Sequence, residues 1–144
     1  MQLRRATIDD ADLLLAWRND AATRANSVHG EIVALADHLR WLVATLQNPK
    51  RKLLIAEEGG VSVGTVRVDM NDDGVQELSW TVAPEARGKG VGKAMVALAV
   101  APLRGSIAAV IKAGNTASLR IVQILGFTLH HERGGLLEYR LQKD

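Results

Sequence analysis

Apolar and polar residues alternate along this chain with two different periodicities, which predict strands and helices in alternating order. Alternation with a period of two, rich in Val and Ile, predicts strands, and apolar residues at helical spacing predict helices. The predicted strands are Leu3–Ala6, Leu53–Glu57, Val61–Asp69, Val75–Val82, Ser106–Lys112, Phe127–His131 and Leu136–Leu141. The predicted helices are Ala11–Asn19, a second helix through Leu35, Leu39, Leu42 and Leu46, a third ending at Pro102, and Asn115–Gly126.

Turn and cap signals separate these elements. Thr7 and Asp10 have capping-box spacing ahead of the first helix, and Pro49 stops the second. Glu58-Gly59-Gly60 joins two strands into a predicted hairpin. Because no repeat or linker interrupts the order, we expect one domain over residues 1–144 with an α/β (α+β) fold.

Composition narrows the classes of protein that remain. Hydrophobic residues make up 47% of the chain, as in ordinary globular proteins. The net charge of +2 and the lack of a basic, aromatic-rich run predict no nucleic-acid partner. The longest apolar stretch, Val96–Val100, is too short for a membrane span. The absence of cysteine excludes disulfides and thiolate zinc sites; with no visible signal peptide and no metal motif, it favours a cytoplasmic, metal-free protein.

The segment from Val82 to Met95, VAPEARGKGVGKAM, carries the clearest chemical signal. It runs from a strand through a basic, glycine-spaced loop into a helix. Glycine lets the backbone approach a ligand closely, and the first-turn amides of a helix attract anions. We therefore predict a pyrophosphate site. Its residues are Arg87, Gly88, Lys89, Gly90, Val91, Gly92 and Lys93.

Two common nucleotide loops do not fit this spacing. A P-loop needs GxxxxGK followed by Ser or Thr, and the interval from Gly88 to Lys93 does not provide it. A dinucleotide fingerprint needs GxGxxG near the first strand of a βαβ unit, whereas Ala94 and Met95 follow the glycines here. The pattern that remains is RxxGxG, from Arg87 to Gly92.

On these residues the chain resembles the GCN5-related N-acetyltransferases. Arg87, Gly90 and Gly92 match the family pattern Gln/Arg-x-x-Gly-x-Gly/Ala, and Asn115–Phe127 (NTASLRIVQILGF) is similar to its penultimate helix. The resemblance covers essentially the whole chain. It implies a mixed, mostly antiparallel sheet with about four flanking helices, in which strands Gly74–Val82 and Ser106–Lys112 run parallel and splay apart.

The resemblance also implies an acetyl-coenzyme A donor and a primary amine acceptor that attacks directly. Unpaired backbone groups of Thr81 and Val82 would bind the pantetheine arm, with the phosphates over Gly88–Lys93. The backbone N–H near Val82 would stabilise the oxyanion on the acetyl carbonyl. Asn115 is a helix N-cap, a pantetheine contact, or both.

The chemistry requires a base and an acid. An alkylammonium must lose a proton before it attacks, and the departing thiolate gains one. Glu77, a carboxylate in an apolar strand, is the candidate base; the alternative is a solvated residue on the outer face. Many family members carry a Tyr where this chain has Val122. Ser118 is therefore the candidate acid, with an ordinary helix-surface serine as the alternative, and Tyr139 is expected to pack.

The acceptor residues are less distinctive. Trp17-Arg18-Asn19, Arg24, His38 and Trp41 form a pattern similar to amino-sugar N-acetyltransferases of the pseudaminic-acid pathway, and also to ribosomal-protein N-terminal acetyltransferases. In the first case Arg18 and Arg24 would meet a nucleotide-sugar phosphate, and Trp41 or Trp80 would stack on a ring. In the alternative, Trp17 and Trp41 anchor the core and Arg18 is a surface cation.

Three functions therefore stay open. They are acetylation of an amino sugar or nucleotide sugar, acetylation of a protein or peptide N-terminal amine, and a non-catalytic acyl-coenzyme A sensor. The expected partners are a small-molecule or peptide amine, with neither nucleic acid nor membrane, and the chain is expected to be a monomer or homodimer.

Overall fold

The computed structural model describes every residue from 1 to 144, and it contains seven strands and five α-helices. The strands are β1 (Gln2–Arg5), β2 (Arg51–Glu58), β3 (Val61–Met70), β4 (Gln76–Val82), β5 (Gly105–Lys112), β6 (Thr128–Arg133) and β7 (Leu136–Lys143). The helices are α1 (Ala11–Asn19), α2 (Ala21–Asn26), α3 (Leu35–Gln47), α4 (Val91–Val100) and α5 (Thr116–Ile124). Short 3₁₀ turns occupy Ile8–Asp10 and Pro84–Ala86.

All predicted strands and helices are present, with ends that differ by a few residues, and one helix was missed. The missed helix is α2, so five helices flank the sheet where about four were expected. Its cap is Asp20, whose Oδ2 accepts the Thr23 N–H at 3.1 Å. The capping box is confirmed, since Asp10 Oδ2 accepts the Thr7 N–H at 2.8 Å and caps the 3₁₀ turn that leads into α1.

The sheet has the strand order β1-β2-β3-β4-β5-β7-β6, and only β4 and β5 are parallel. These two strands pair over just three positions, Gln76 with Ile107, Glu77 with Ala108 and Leu78 with Ala109. β4 nevertheless stays paired with β3 to Val82, and β5 stays paired with β7 to Lys112. The predicted splayed parallel pair is therefore confirmed, and it opens after Leu78.

The two faces of the sheet bury different clusters. On one face α4 and α5 pack over Val66, Leu78 and Ile107, together with their own Met95 and Val122. On the other face α1 and α3 pack over β2 in a second cluster, which contains Trp17, Leu42, Leu53 and Ile55. Side chains alternate between faces along a strand. Glu77, Ser79 and Thr81, which are paired with Asp69, Arg67 and Thr65, therefore lie on the α1/α3 side.

Close packing at Gly64 generates a stability prediction. A Cβ at Gly64 would lie 2.8 Å from both Met95 Sδ and the Thr81 carbonyl oxygen, whereas one at Gly114 would meet nothing within 4 Å. We expect Gly64→Ala to lower the free energy of unfolding by about 1–3 kcal/mol, and Gly114→Ala to change it by less than about 1 kcal/mol. Urea denaturation measures both, and equal effects would contradict the described contact.

Candidate active site

One cavity of about 540 Å³ follows the gap between β4 and β5. Its wall includes Arg18 and Trp41 from the α1/α3 side of the sheet. It also includes Trp80 and Ser118 from the α4/α5 side. Because the two strands part after Leu78, the cavity connects the two faces of the sheet through the gap.

Glu77 lies in this cavity wall, on the face covered by α1 and α3. Burial raises the pKa of its carboxyl above the ordinary value, and the nearby Asp69 and Glu138 carboxylates raise it further, while Arg67 opposes them. A carboxyl whose pKa is moved toward neutrality is better matched to accept a proton from an amine near physiological pH. The solvated outer-face alternative for Glu77 does not fit this position.

Ser118 and Asn115 reach the same cavity from the start of α5. Asn115 is the N-cap of α5, and its Oδ1 accepts the Ser118 N–H at 3.3 Å. Val122, at the position where the resemblance leads to an expected Tyr, is fully buried in the core. Tyr139 is also buried there, with its hydroxyl 3.4 Å from Gln123 Nε2. Ser118 is therefore the hydroxyl that α5 presents to the cavity.

The glycine loop has a backbone suited to an anion. Gly88 and Gly90 both adopt φ of 76°, a left-handed conformation that favours glycine, and a Cβ there would meet nothing within 4 Å. The Ala94 N–H bonds back to the Gly90 oxygen at 3.2 Å, which leaves the amides of residues 91–93 without a helical partner. Lys89 and Lys93 are exposed beside them. The loop lies on the surface, outside the cavity wall, and the residues present fit a pyrophosphate.

The missing side chain of Gly92 lets the first turn of α4 pack closely against α5 and the end of β4, beside the open end of the gap. A Cβ at Gly92 would lie 2.9 Å from Ile121 Cδ1 of α5 and 3.2 Å from Val82 Cγ2 of β4. Val82 itself packs its side chain into both cores and does not line the cavity, whereas Thr81 does. The loop, the end of β4 and α5 therefore meet at one place.

Arg87 makes a contact that was not predicted. Its Nη2 lies 2.6 Å from Asp20 Oδ2 and 3.0 Å from Thr23 Oγ1, and the guanidinium lowers the pKa of Asp20. The side chain thus ties the glycine loop to the start of α2. Cofactor binding by Arg87 stays a prediction.

Two of the three predicted acceptor residues line the cavity. Arg18 does so with its Cζ 4.9 Å from the centroid of the Trp41 ring, while Trp17 is a buried core residue. Trp80 also lines the cavity, on the opposite face of the sheet from Arg18, where it packs against the α4/α5 core. Arg24 is not part of the cavity wall, and its Nε donates to the Asn19 carbonyl at 3.2 Å, because α2 turns it back toward α1.

Arg67, whose charge acts on Glu77, was missed by sequence reasoning. Arg67 lines the cavity and its Nε lies 3.1 and 3.0 Å from the two Asp69 carboxylate oxygens. The signal was the polar alternation of Thr65, Arg67 and Asp69 between buried valines along β3. His38 is fully buried, with its Nε2 3.0 Å from the Ala11 carbonyl. A carbonyl only accepts, so Nε2 carries the proton, and burial lowers the His38 pKa.

Comparison with known proteins identifies the family. A family model described as Acetyltransferase (GNAT) domain matches residues 1–128. The chain belongs to the GNAT acetyltransferases, and it is an N-acetyltransferase. A search of curated proteins finds no match.

Solved structures agree with this assignment. Ribosomal-protein-alanine N-acetyltransferase from Brucella melitensis shares 27% identity over 99% of both chains, with a TM-score of 0.81. The yncA protein from Salmonella typhimurium, solved with its cofactor acetyl-CoA, shares 26% identity over 100% of this chain and 94% of its own, with a TM-score of 0.79. Spermidine N-acetyltransferase from Vibrio cholerae, in complex with CoA and spermine, has the same fold at 13% identity, with a TM-score of 0.85 and coverage of 97% and 94%.

No helix has the length and apolar character needed to cross a membrane. No group of three or more His, Cys, Asp and Glu side chains is placed to hold a metal ion.

The position of Glu77 predicts a pH-dependent stability difference. An ordinary Glu ionises near 4.5, and the pKa of Glu77 is higher in the folded state. Between those two pKa values Glu77 is more protonated in the folded chain than in the unfolded chain. The contribution of Glu77 to the free energy of unfolding therefore falls as pH rises through that interval and is constant above it. Gln does not titrate, so the Glu77→Gln variant does not show this decrease. We therefore expect the free energy of unfolding of the variant to rise relative to that of the parent as pH increases from 4.5. Denaturation across pH measures it, and a constant difference would contradict the described burial.

Proposed function

We propose that this N-acetyltransferase moves an acetyl group from acetyl-CoA to a primary amine that attacks directly. The observation that carries the proposal is the cavity through the sheet, which has Glu77 on one side of the gap and Ser118 on the other. Such an opening lets donor and acceptor approach from opposite faces.

The donor would lie along the open gap and the glycine loop. Acetyl-CoA supplies an activated acetyl thioester when it is bound. The backbone groups of Val82 that face the gap suit the amides of its pantetheine arm. Thr81 pairs its backbone with Thr65 of β3 and lines the cavity, and Asn115 lies beside the same gap. The amides and glycines of residues 88–93 suit its pyrophosphate. A backbone N–H near Val82 would stabilise the oxyanion on the acetyl carbonyl.

Glu77 and Ser118 then divide the proton transfers. The Glu77 carboxylate accepts the proton of the acceptor ammonium, directly or through water, because its raised pKa suits that exchange. The Ser118 hydroxyl makes no hydrogen bond within the chain. It donates its proton to the departing sulfur, and the second proton lost by the attacking nitrogen restores the hydroxyl. Val122, buried in the core, leaves no tyrosine for that role.

The acceptor would be an amino sugar or a nucleotide sugar, held against Arg18 and Trp41. A second candidate is the N-terminal amine of a protein or peptide. It is favoured by the 27% identity over 99% of both chains with a ribosomal-protein-alanine N-acetyltransferase. A paired assay of alanine-starting peptides and amino sugars separates these two acceptor classes.

We propose that residues 1–144 form one acetyltransferase domain that acts in the cytoplasm. The absence of cysteine, and therefore of disulfides, is compatible with that reducing compartment. A monomer or homodimer is expected.

The catalytic assignment predicts a pH profile. Thiol release from acetyl-CoA is measured with a panel of amines between pH 5 and pH 9. We expect kcat to fall about 100- to 10,000-fold in Glu77→Gln. We also expect Asp69→Asn to move the acidic limb to lower pH, because the Asp69 charge raises the Glu77 pKa. An unchanged rate in Glu77→Gln would overturn the assignment.

Ser118 has a matched control in the same assay. Ser118→Ala is expected to lower kcat by about tenfold or more, since general acid catalysis contributes at least that much. Ser106→Ala removes a serine whose hydroxyl bonds to Gln142 at 2.7 Å on the exposed side of β5, and it should leave kcat unchanged. Equal rates in both variants would contradict the acid role of Ser118.

A further inference from the structure

Arg18 is a cation in the cavity wall without a carboxylate partner. It lies in the last turn of α1, and no hydrogen bond or salt bridge joins its guanidinium to the rest of the chain. Glu77 and Glu31, the carboxylates that line the same cavity, make no salt bridge with it. Its five N–H donors are therefore available to a ligand.

The neighbouring charges are already balanced. Arg67 is held by Asp69, whose carboxylate also lies 3.7 Å from Arg51 Nε. Asp69 therefore lies beside two other arginines and makes no salt bridge with Arg18. Partial burial and the Arg67 charge lower the Arg18 pKa, yet a guanidinium stays protonated at physiological pH. Arg18 is therefore a charged side chain in the cavity wall that no carboxylate contacts.

Trp41 holds this guanidinium in place. Arg18 Cζ lies 4.9 Å and Arg67 Cζ 5.7 Å from the centroid of the Trp41 ring, and His38 stacks on the same ring at 5.8 Å. A cation over an aromatic ring is attracted to it while its in-plane N–H groups stay free. A restrained guanidinium edge matches the two oxygens of a carboxylate or phosphate.

We propose that the acceptor carries an oxyanion, a phosphate or a carboxylate, that is bound by Arg18 while its amine faces Glu77. Glu77 and Arg18, which both line the cavity, favour opposite charges, since a carboxylate attracts an ammonium and the unpaired Arg18 attracts an anion. This inference rests on the proposed function, because it assigns the amine to Glu77. It excludes neutral and polycationic amines as preferred acceptors.

Paired amino sugars test this acceptor class. Glucosamine is neutral apart from its amine, glucosamine 6-phosphate adds a phosphate, and muramic acid adds a carboxylate. We expect the parent chain to acetylate at least one of the two anionic sugars with a lower KM than glucosamine, and the better one identifies the oxyanion. Arg18→Gln should raise the KM for that sugar by about 10- to 100-fold with kcat nearly unchanged, and leave the KM for glucosamine unaltered. Arg18→Lys should fall between.

A control variant and a binding assay distinguish failure of the oxyanion site from failure of the proposed function. Arg133→Gln removes an exposed arginine of β6 that is not part of the cavity wall, and it should leave both KM values unchanged. Tryptophan fluorescence of CoA-saturated protein, titrated with each sugar, reports binding without turnover. Saturable binding of an anionic sugar that Arg18→Gln abolishes would support the oxyanion site even if no sugar is acetylated, in which case only the proposed function fails. Equal affinity for charged and neutral sugars, or no effect of Arg18→Gln, would overturn the oxyanion site.

Discussion

The structure depends on one interrupted backbone ladder. β4 and β5 share three paired positions and then separate, while each remains fully paired on its other side. Backbone N–H and C=O groups away from water need partners, so an opening inside a sheet is a place where a ligand with amides fits well. α5 starts at the opening with Asn115, and Gly92 brings the start of α4 against Ile121 and Val82. Each element of the proposed donor site is positioned by this separation.

The alternation of side chains along β4 divides the chemistry between two faces. Leu78 and Trp80 face the α4/α5 core, whereas Glu77, Ser79 and Thr81 face the helices α1 and α3. The base therefore lies on the side with Arg18 and Trp41, away from the glycine loop. Arg87 joins the two sides on the surface, because its contact with Asp20 connects that loop to α2. Donor and acceptor would then meet only through the gap.

Local patterns predicted most of the fold and the glycine-rich turn before α4, and they failed where long-range contacts decide. The strand alternation, the Thr7 cap and the glycines of residues 88–92 act over a few residues, so they can be read directly. α2 is a six-residue helix held by the Asp20 cap and by Arg87, 67 positions away. Arg24 and Arg18 are both predicted to bind an acceptor phosphate, because both are cations. The turn between α1 and α2 instead directs Arg24 to the Asn19 carbonyl, outside the cavity wall. The contact between Arg67 and Asp69 could not be predicted, because the sequence does not show which face of β3 lies against the cavity.

Hydrogen exchange of backbone amides with and without CoA tests the central claim most directly. If the cofactor occupies the interrupted ladder and the glycine loop, CoA should slow exchange at amides of residues 79–82, 91–93 and 110–112. Amides of β6, which lie at the far edge of the sheet, should exchange at the same rate in both samples. Saturating CoA that leaves residues 79–82 and 91–93 unprotected, or protects a different surface, would contradict the account.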